Sequence, residues 1–327
     1  MSSALNLTAL LQEYPPSTCT LETCPIILAN IRYVPSLAGN ATYLAIFMFL
    51  LIVHIFLGIR WRTWGFLAGM VGGLILEVIG YGARIGMHNN QFIKPPFFAY
   101  LITLTIAPAF LSASIYLCLG RIVTVYGAHL SRFKPRTYSV VFVTCDIISL
   151  ILQAAGGAIA ASGGAPDDEK LGEHIMLGGL IFQVVSLVLF SVLCLEFALR
   201  VKKAPTQRNP VFTYVTGTFK FKAFLWSLAI ATVAIIIRSS FRVAELENGF
   251  ASSIANDQGL FMALEGPMIM LAVVSLAVFH PGYAFDGQWA AATWSFRSSA
   301  KQAGTYSLRS GKSEGGNSMD SRLVTYV

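Results

Sequence analysis

The sequence predicts an all-α membrane protein, a seven-transmembrane-helix bundle with an exoplasmic N-terminus and a cytoplasmic C-terminus. Three observations predict it. Of 327 residues, 55% are hydrophobic and only 12% charged, about half the charged share of a soluble domain. The charges are gathered between seven long apolar runs, each able to cross ~30 Å of hydrocarbon as a helix. Finally, Lys and Arg fall almost entirely on one side of those runs.

Residues 1–39 form a polar N-terminal tail with Pro15 and Pro16 and no signal-peptide core. The runs follow at about 40–59, 65–87, 97–120, 138–161, 174–199, 222–242 and 258–279, within a membrane domain of residues 40–285. Arg238 and Arg242 interrupt the end of the sixth run. Residues 286–327, rich in Gly, Ser and basic residues from Ser295 onward, read as a disordered cytoplasmic tail.

Orientation follows from counting short-loop cations. One side holds Arg60 and Arg62, then Arg121, Arg132, Lys134 and Arg136, then Arg200, Lys202, Lys203, Arg208, Lys220 and Lys222, and five more in the tail. The other holds Arg32, Lys94 and Lys170. With an odd number of spans, seventeen against three puts the N-terminus outside. Asn6-Leu7-Thr8 is then an exoplasmic glycosylation sequon at Asn6, whereas Asn40-Ala41-Thr42 abuts the membrane. The same compartment permits a Cys19–Cys24 disulfide, two free thiols being the alternative. Cys118, Cys145 and Cys194 lie in apolar runs as small packing residues.

Composition and inventory exclude several functions. The net charge of +7 is explained by residues flanking spans, and no basic surface interleaved with aromatics points to nucleic acid. The seventh run lacks a lysine for a retinal Schiff base, and the five histidines are scattered. No His-Glu-x-x-His and no phosphate-binding Gly-x-x-x-x-Gly-Lys occurs. No cofactor, metal or enzymatic constellation is expected.

The informative residues are polar groups inside the spans, where ionisable side chains face the bundle interior and mark functional sites. Glu77, Gly80, Tyr81 and Arg84 share one face of the second span. The third carries Pro108, then Ser112, Tyr116 and Arg121; the fourth, Asp146, Ser149, Gln153 and Gly156-Gly157. The fifth has Gly179, Gln183 and Ser186; the sixth ends in Arg238, Arg242 and Glu245; the seventh has Glu265 beside Pro267. Pairing across helices, Glu77 or Asp146 with Arg238 for example, and close approach at the glycines would hold the bundle together. As a set, the stripes imply a polar seam or cavity: Glu77, Tyr81, Arg84, Tyr116, Asp146, Gln153, Gln183, Arg238, Arg242, Glu245 and Glu265, with Pro108, Gly156, Gly157 and Pro267 as structural residues.

Read in order, these segments resemble the fungal lipid-translocating exporter family, the aminocholesterol-resistance-like proteins. The matching elements include Glu77-x-x-Gly80-Tyr81-x-x-Arg84, Ile106-Ala107-Pro108-Ala109-Phe110 and Asp146-Ile147-x-Ser149-x-x-x-Gln153-x-x-Gly156-Gly157. Gly179-Leu180-x-x-Gln183, Arg238-Ser239-x-Phe241-Arg242-x-x-Glu245, Glu265 and His280-Pro281-Gly282 complete them, over roughly residues 33–285. After Glu265 the chain departs from the common pattern, continuing Gly266-Pro267-Met268-Ile269.

The resemblance implies export of, or resistance to, amphipathic molecules such as sphingoid long-chain bases, sterol-like amines or, in one branch, porphyrins. The partners are then membrane lipids or amphipathic small molecules. The location it implies is the plasma membrane, a vacuolar or endosomal membrane being the alternative. A transporter is the leading reading. A seven-helix lipid sensor or receptor, regulating lipid asymmetry or a stress response, is the second.

Overall fold

The computed structural model describes residues 31–161, 166–207, 209–247 and 256–292, together with Cys19, residues 23–26 and Ala29. Asn6 and residues 293–327 lie outside these.

The described chain is helical: α1 (Leu37–Arg60), α2 (Trp64–Asn89), α3 (Lys94–Tyr126), α4 (Pro135–Ala161) and α5 (Pro166–Lys203) come first. The short α6 (Thr213–Gly217) precedes α7 (Phe219–Glu247), α8 (Gln258–Leu264), α9 (Gly266–Val278) and α10 (Pro281–Ala284). Seven spans result, with α8 to α10 together forming the seventh.

The starts and stops have local causes. Ser36 caps α1 by accepting from the Gly39 amide at 3.3 Å. Pro95 and Pro96 open α3, where a missing N–H is no loss. Asp257 caps α8 by accepting from the Gly259 and Leu260 amides. Gly127, at φ 123°, ends α3 in a backbone conformation that side chains disfavour.

Helices outrun the apolar windows because a helix satisfies its own backbone hydrogen bonds beyond the hydrocarbon as well as within it. The 38 residues of α5 extend about 57 Å, well past the bilayer core.

The spans close into a ring. Each packs on the next, from α1 through α5 to α7 and α9, and α9 returns to α1. α3 also touches α5 and α7 across the ring, so it is the most buried span. Ile151 on α4, Leu195 on α5 and Trp226 on α7 are more than half exposed, as lipid-facing residues should be.

Small residues set the closest contact. A Cβ on Gly156 would lie 2.6 Å from the Gly172 carbonyl oxygen, and one on Gly172 would meet the Gly156 carbonyl oxygen at the same distance. α4 and α5 therefore touch backbone to backbone there. Gly157 differs: its Cβ would meet only Met176 Sδ, at 3.9 Å. Gly156→Leu should therefore destabilise the protein by about 1–3 kcal/mol through overpacking, while Gly157→Ala should stay within about 0.5 kcal/mol. Thermal unfolding in detergent checks both, and equal effects would contradict this packing.

The two ends of the bundle are finished differently. Cys19 and Cys24 are disulfide-bonded and pack on Phe92 in the turn between α2 and α3. The Asn90 side chain donates to the Cys19 carbonyl, and the Arg32 amide donates to Asn256 Oδ1 at 2.8 Å. At the other end, residues expected to begin a disordered tail at 286 are packed. Trp289 and Ala292 are buried, and Arg121 donates to the Trp289 carbonyl with its guanidinium 3.9 Å above the indole. The aromatic cluster of Phe221, Phe224, Phe285 and Trp289 carries the fold beyond the last apolar run.

Candidate functional site

The polar face of α2 turns inward and meets α7 and the seventh span. Arg238 and Arg242 lie one turn apart on α7 and both reach Glu265 Oε1. Arg242 donates from Nη2 at 3.0 Å and from Nε at 3.2 Å. Its Nη1 donates to Glu245 Oε2 at 2.7 Å. Two arginines and two glutamates thus form one buried network, with Arg238 and Glu265 each 1% exposed.

Two helix-breaking prolines shape this network. Pro108 has no N–H, so the Leu104 carbonyl four residues earlier loses its helical donor. Arg238 Nη2 donates to that carbonyl. The proline in α3 therefore supplies a backbone ligand for a cation on α7. In the seventh span the helix breaks at Glu265 and restarts with Pro267 in its first turn. Gly266 is required by close approach: a Cβ there would lie 2.8 Å from the Tyr43 ring and 2.9 Å from the Tyr81 hydroxyl. The Tyr43 hydroxyl donates to the Met262 carbonyl at 2.8 Å, beside the break.

Glu77 lies within electrostatic reach of Arg238, Glu265 and Arg242. It is 1% exposed, and neither of its oxygens has a hydrogen-bond partner among the described residues. Tyr81, one turn on, stacks on Phe47 and tilts against Tyr43, and its hydroxyl is likewise unpartnered among the described residues. Since the two arginines pair with Glu245 and Glu265, Glu77 is the acid left outside the ion pairs.

Among the described residues Arg84 forms no ion pair with an acid. Its Nε donates to Asn40 Oδ1 at 3.0 Å and its Nη2 to the Tyr33 hydroxyl at 2.9 Å. The guanidinium lies 3.7 Å from the Phe261 ring, which also carries Arg242 at 5.7 Å. Asn40, one of the two sequon matches, is fully buried in this arrangement.

Other expected seam residues are brought together elsewhere. Asp146 faces Tyr116 of α3 rather than Arg238, and the Tyr116 ring packs 4.5 Å from Phe190. The carboxylate and phenol hydroxyl adjoin without a hydrogen-bond geometry. Gln153 Nε2 donates to Gln183 Oε1 at 2.9 Å, joining α4 to α5. The single seam divides into an α2–α7–α9 ion network, an Asp146–Tyr116 site and a glutamine bridge.

Four contributors escaped sequence reading: Tyr33, Asn40, Phe261 and the Leu104 carbonyl. An aromatic or amide side chain at a span end carries no sign of which buried cation it serves. Only Pro108 offered a signal, because a mid-span proline always frees the carbonyl four residues back.

The cavity beside Arg242 and Glu245 measures about 20 Å³, room for one water. Among the described residues, no group of three or more His, Cys, Asp and Glu could hold a metal.

Comparison with known proteins places this arrangement. Residues 70–288 match the RTA1-like protein family, a stretch that begins seven residues before Glu77 and ends one residue before Trp289. The chain belongs to the RTA1-like family. This RTA1-like protein is 30% identical over 285 residues to the sphingoid long-chain base transporter RSB1 of Saccharomyces cerevisiae, covering 78% of this chain and 74% of that one. It is 27% identical to protein RTA1 of the same yeast, covering 63% of each chain. It is also 27% identical to that yeast's protoporphyrin uptake protein 1, covering 63% of this chain and 65% of that one. No solved structure matches it. The RTA1-like match includes Glu77, Asp146, both α7 arginines and Glu265, so the ion network lies wholly inside the family's region.

Proposed function

We propose that this RTA1-like protein translocates amphipathic cations, with sphingoid long-chain bases as the substrate class, across a plasma membrane. Buried Glu77, the acid that the α7 arginines leave without a hydrogen bond, carries the reading. An ammonium head passing through the bundle needs a carboxylate inside the hydrocarbon, because unpaired charge there is expensive. Glu77 supplies one without breaking the Arg238–Glu265–Arg242–Glu245 network. Asp146 with Tyr116 offers a second polar station on the path, closer to the basic end. The 20 Å³ cavity at the network means that helices must part for a head group to pass. One of the most similar proteins is named as a sphingoid long-chain base transporter, which supports the substrate class.

The proposed orientation is N-terminus outside. The seventeen-to-three cation bias supports it, as does the Cys19–Cys24 disulfide, a bond suited to an oxidising compartment.

The test is movement of labelled dihydrosphingosine in liposomes containing only the purified protein. Transbilayer movement at least about tenfold above protein-free liposomes, equivalent to about 1.4 kcal/mol of barrier, is expected. Saturable binding with no movement would replace this reading with a lipid sensor.

A further inference from the structure

A second cavity, of about 710 Å³, opens between α3, α5 and α7, away from the ion network. Its size falls within the range of drug- and lipid-sized sites. Ile115, Leu119, Phe190, Leu225, Leu228 and Ile236 supply much of its wall. Its aliphatic hydroxyls are already committed: Ser191 donates to the Leu187 carbonyl and Thr232 to the Leu228 carbonyl, each within its own helix, while Tyr126, near the lysine end, packs its ring on Phe197 and Phe221. The wall is therefore effectively apolar.

Charge enters only at one end. Lys202 at the end of α5 and Lys222 at the start of α7 both line the cavity, and no carboxylate does. From Phe190 to Lys202 is twelve residues, and from Lys222 to Ile236 fourteen, or roughly 18 and 21 Å along the helices. A single leaflet of hydrocarbon is about 15 Å deep. The crevice thus has the depth of one leaflet, with two ammonium groups at headgroup level and an aromatic floor where Phe190 meets Tyr116.

We propose that this crevice holds an anionic phospholipid, its phosphate between Lys202 and Lys222 and one acyl chain lying along α3, α5 and α7. A cationic base is the wrong sign for the mouth, so this site is distinct from the one proposed for transport. The lysines lie on the face that carries the basic loops, where an anionic leaflet would be met. Snorkelling lysines alone would explain two cations at helix ends. They would not explain a leaflet-deep apolar crevice between them.

Native mass spectrometry of the full chain, released from nanodiscs of equal dioleoyl-phosphatidylserine and dioleoyl-phosphatidylcholine, tests this directly. Retained phosphatidylserine should exceed phosphatidylcholine roughly 25-fold, about fivefold per lysine. The Lys202→Ala, Lys222→Ala double variant should bring the two lipids to parity. Ala198→Trp, which fills the crevice from an exposed wall position, should release both. Parity in the native protein, or preference surviving in the double variant, overturns the proposal. So does native-level retention in Ala198→Trp. If added dihydrosphingosine is held instead and lost in Ala198→Trp, the crevice takes the cation and the proposal fails. None of these readings depends on whether the protein transports anything.

Discussion

Glu265→Ala should destabilise the protein by about 3–5 kcal/mol, the range for breaking a buried ion pair by removing one partner. Glu265 is the shared acceptor of Arg238 and Arg242 and is 1% exposed. Without it, Arg242 keeps Glu245, but Arg238 keeps the Leu104 carbonyl as its hydrogen-bond partner, with Glu77 nearby and not bonded. A buried cation is then left without an ion pair in a region of low dielectric. Thermal or denaturant unfolding in detergent should show the loss. Arg238→Met in the same chain should recover part of it, giving a coupling energy above about 1 kcal/mol in a double-mutant cycle. An effect of Glu265→Ala under about 0.5 kcal/mol would mean that the network is not a structural keystone.

Glu77→Gln is the opposite case. Its carboxylate is buried with no hydrogen-bond partner among the described residues, and two arginines and two glutamates beside it balance without it. Replacing a buried, unbonded acid by an amide of the same shape breaks no hydrogen bond. Stability should therefore hold or rise by up to about 1 kcal/mol. Transport of dihydrosphingosine should fall roughly tenfold or more, since a hydrogen bond to a charged group contributes about 1.5–3 kcal/mol. Melting and liposome flux measured on the same preparation separate the two effects. Full flux in Glu77→Gln would remove Glu77 from the proposed path, and a melt lowered by several kcal/mol would show that it is structural. The contrast with Glu265 is the sharper expected result: two neighbouring buried glutamates, one bonded into the network and expected to hold the fold, the other outside it and expected to serve passage.

Much of the architecture was legible because the bilayer imposes a local rule. Every backbone polar group in hydrocarbon must be satisfied within the segment, so an apolar run of sufficient length is a helix whatever its neighbours. That is why seven spans could be read, and why errors fell at their ends. Arg121 and Trp289 show the failure: a cation and a late aromatic looked like loop and tail, but they cap each other at the basic end of the bundle. The break at Glu265 was half legible, since Pro267 announced it without showing that the carboxylate would become the arginines' shared acceptor.

The sequence by itself determined the membrane class, the seven spans, the asymmetry of basic charge and which side chains had to turn inward. All of these depend on composition and on 3.6-residue periodicity along a single helix. The tertiary structure alone decided the partnerships. It separated Asp146 from the α7 arginines, assigned Arg84 to Asn40, Tyr33 and Phe261, and left Glu77 without a hydrogen bond among the described residues. The physical reason is that pairing depends on rotation, depth and tilt of helices distant in sequence. Those are set by contacts such as Gly156 on Gly172 and Pro108 freeing Leu104 for Arg238, which no single segment encodes.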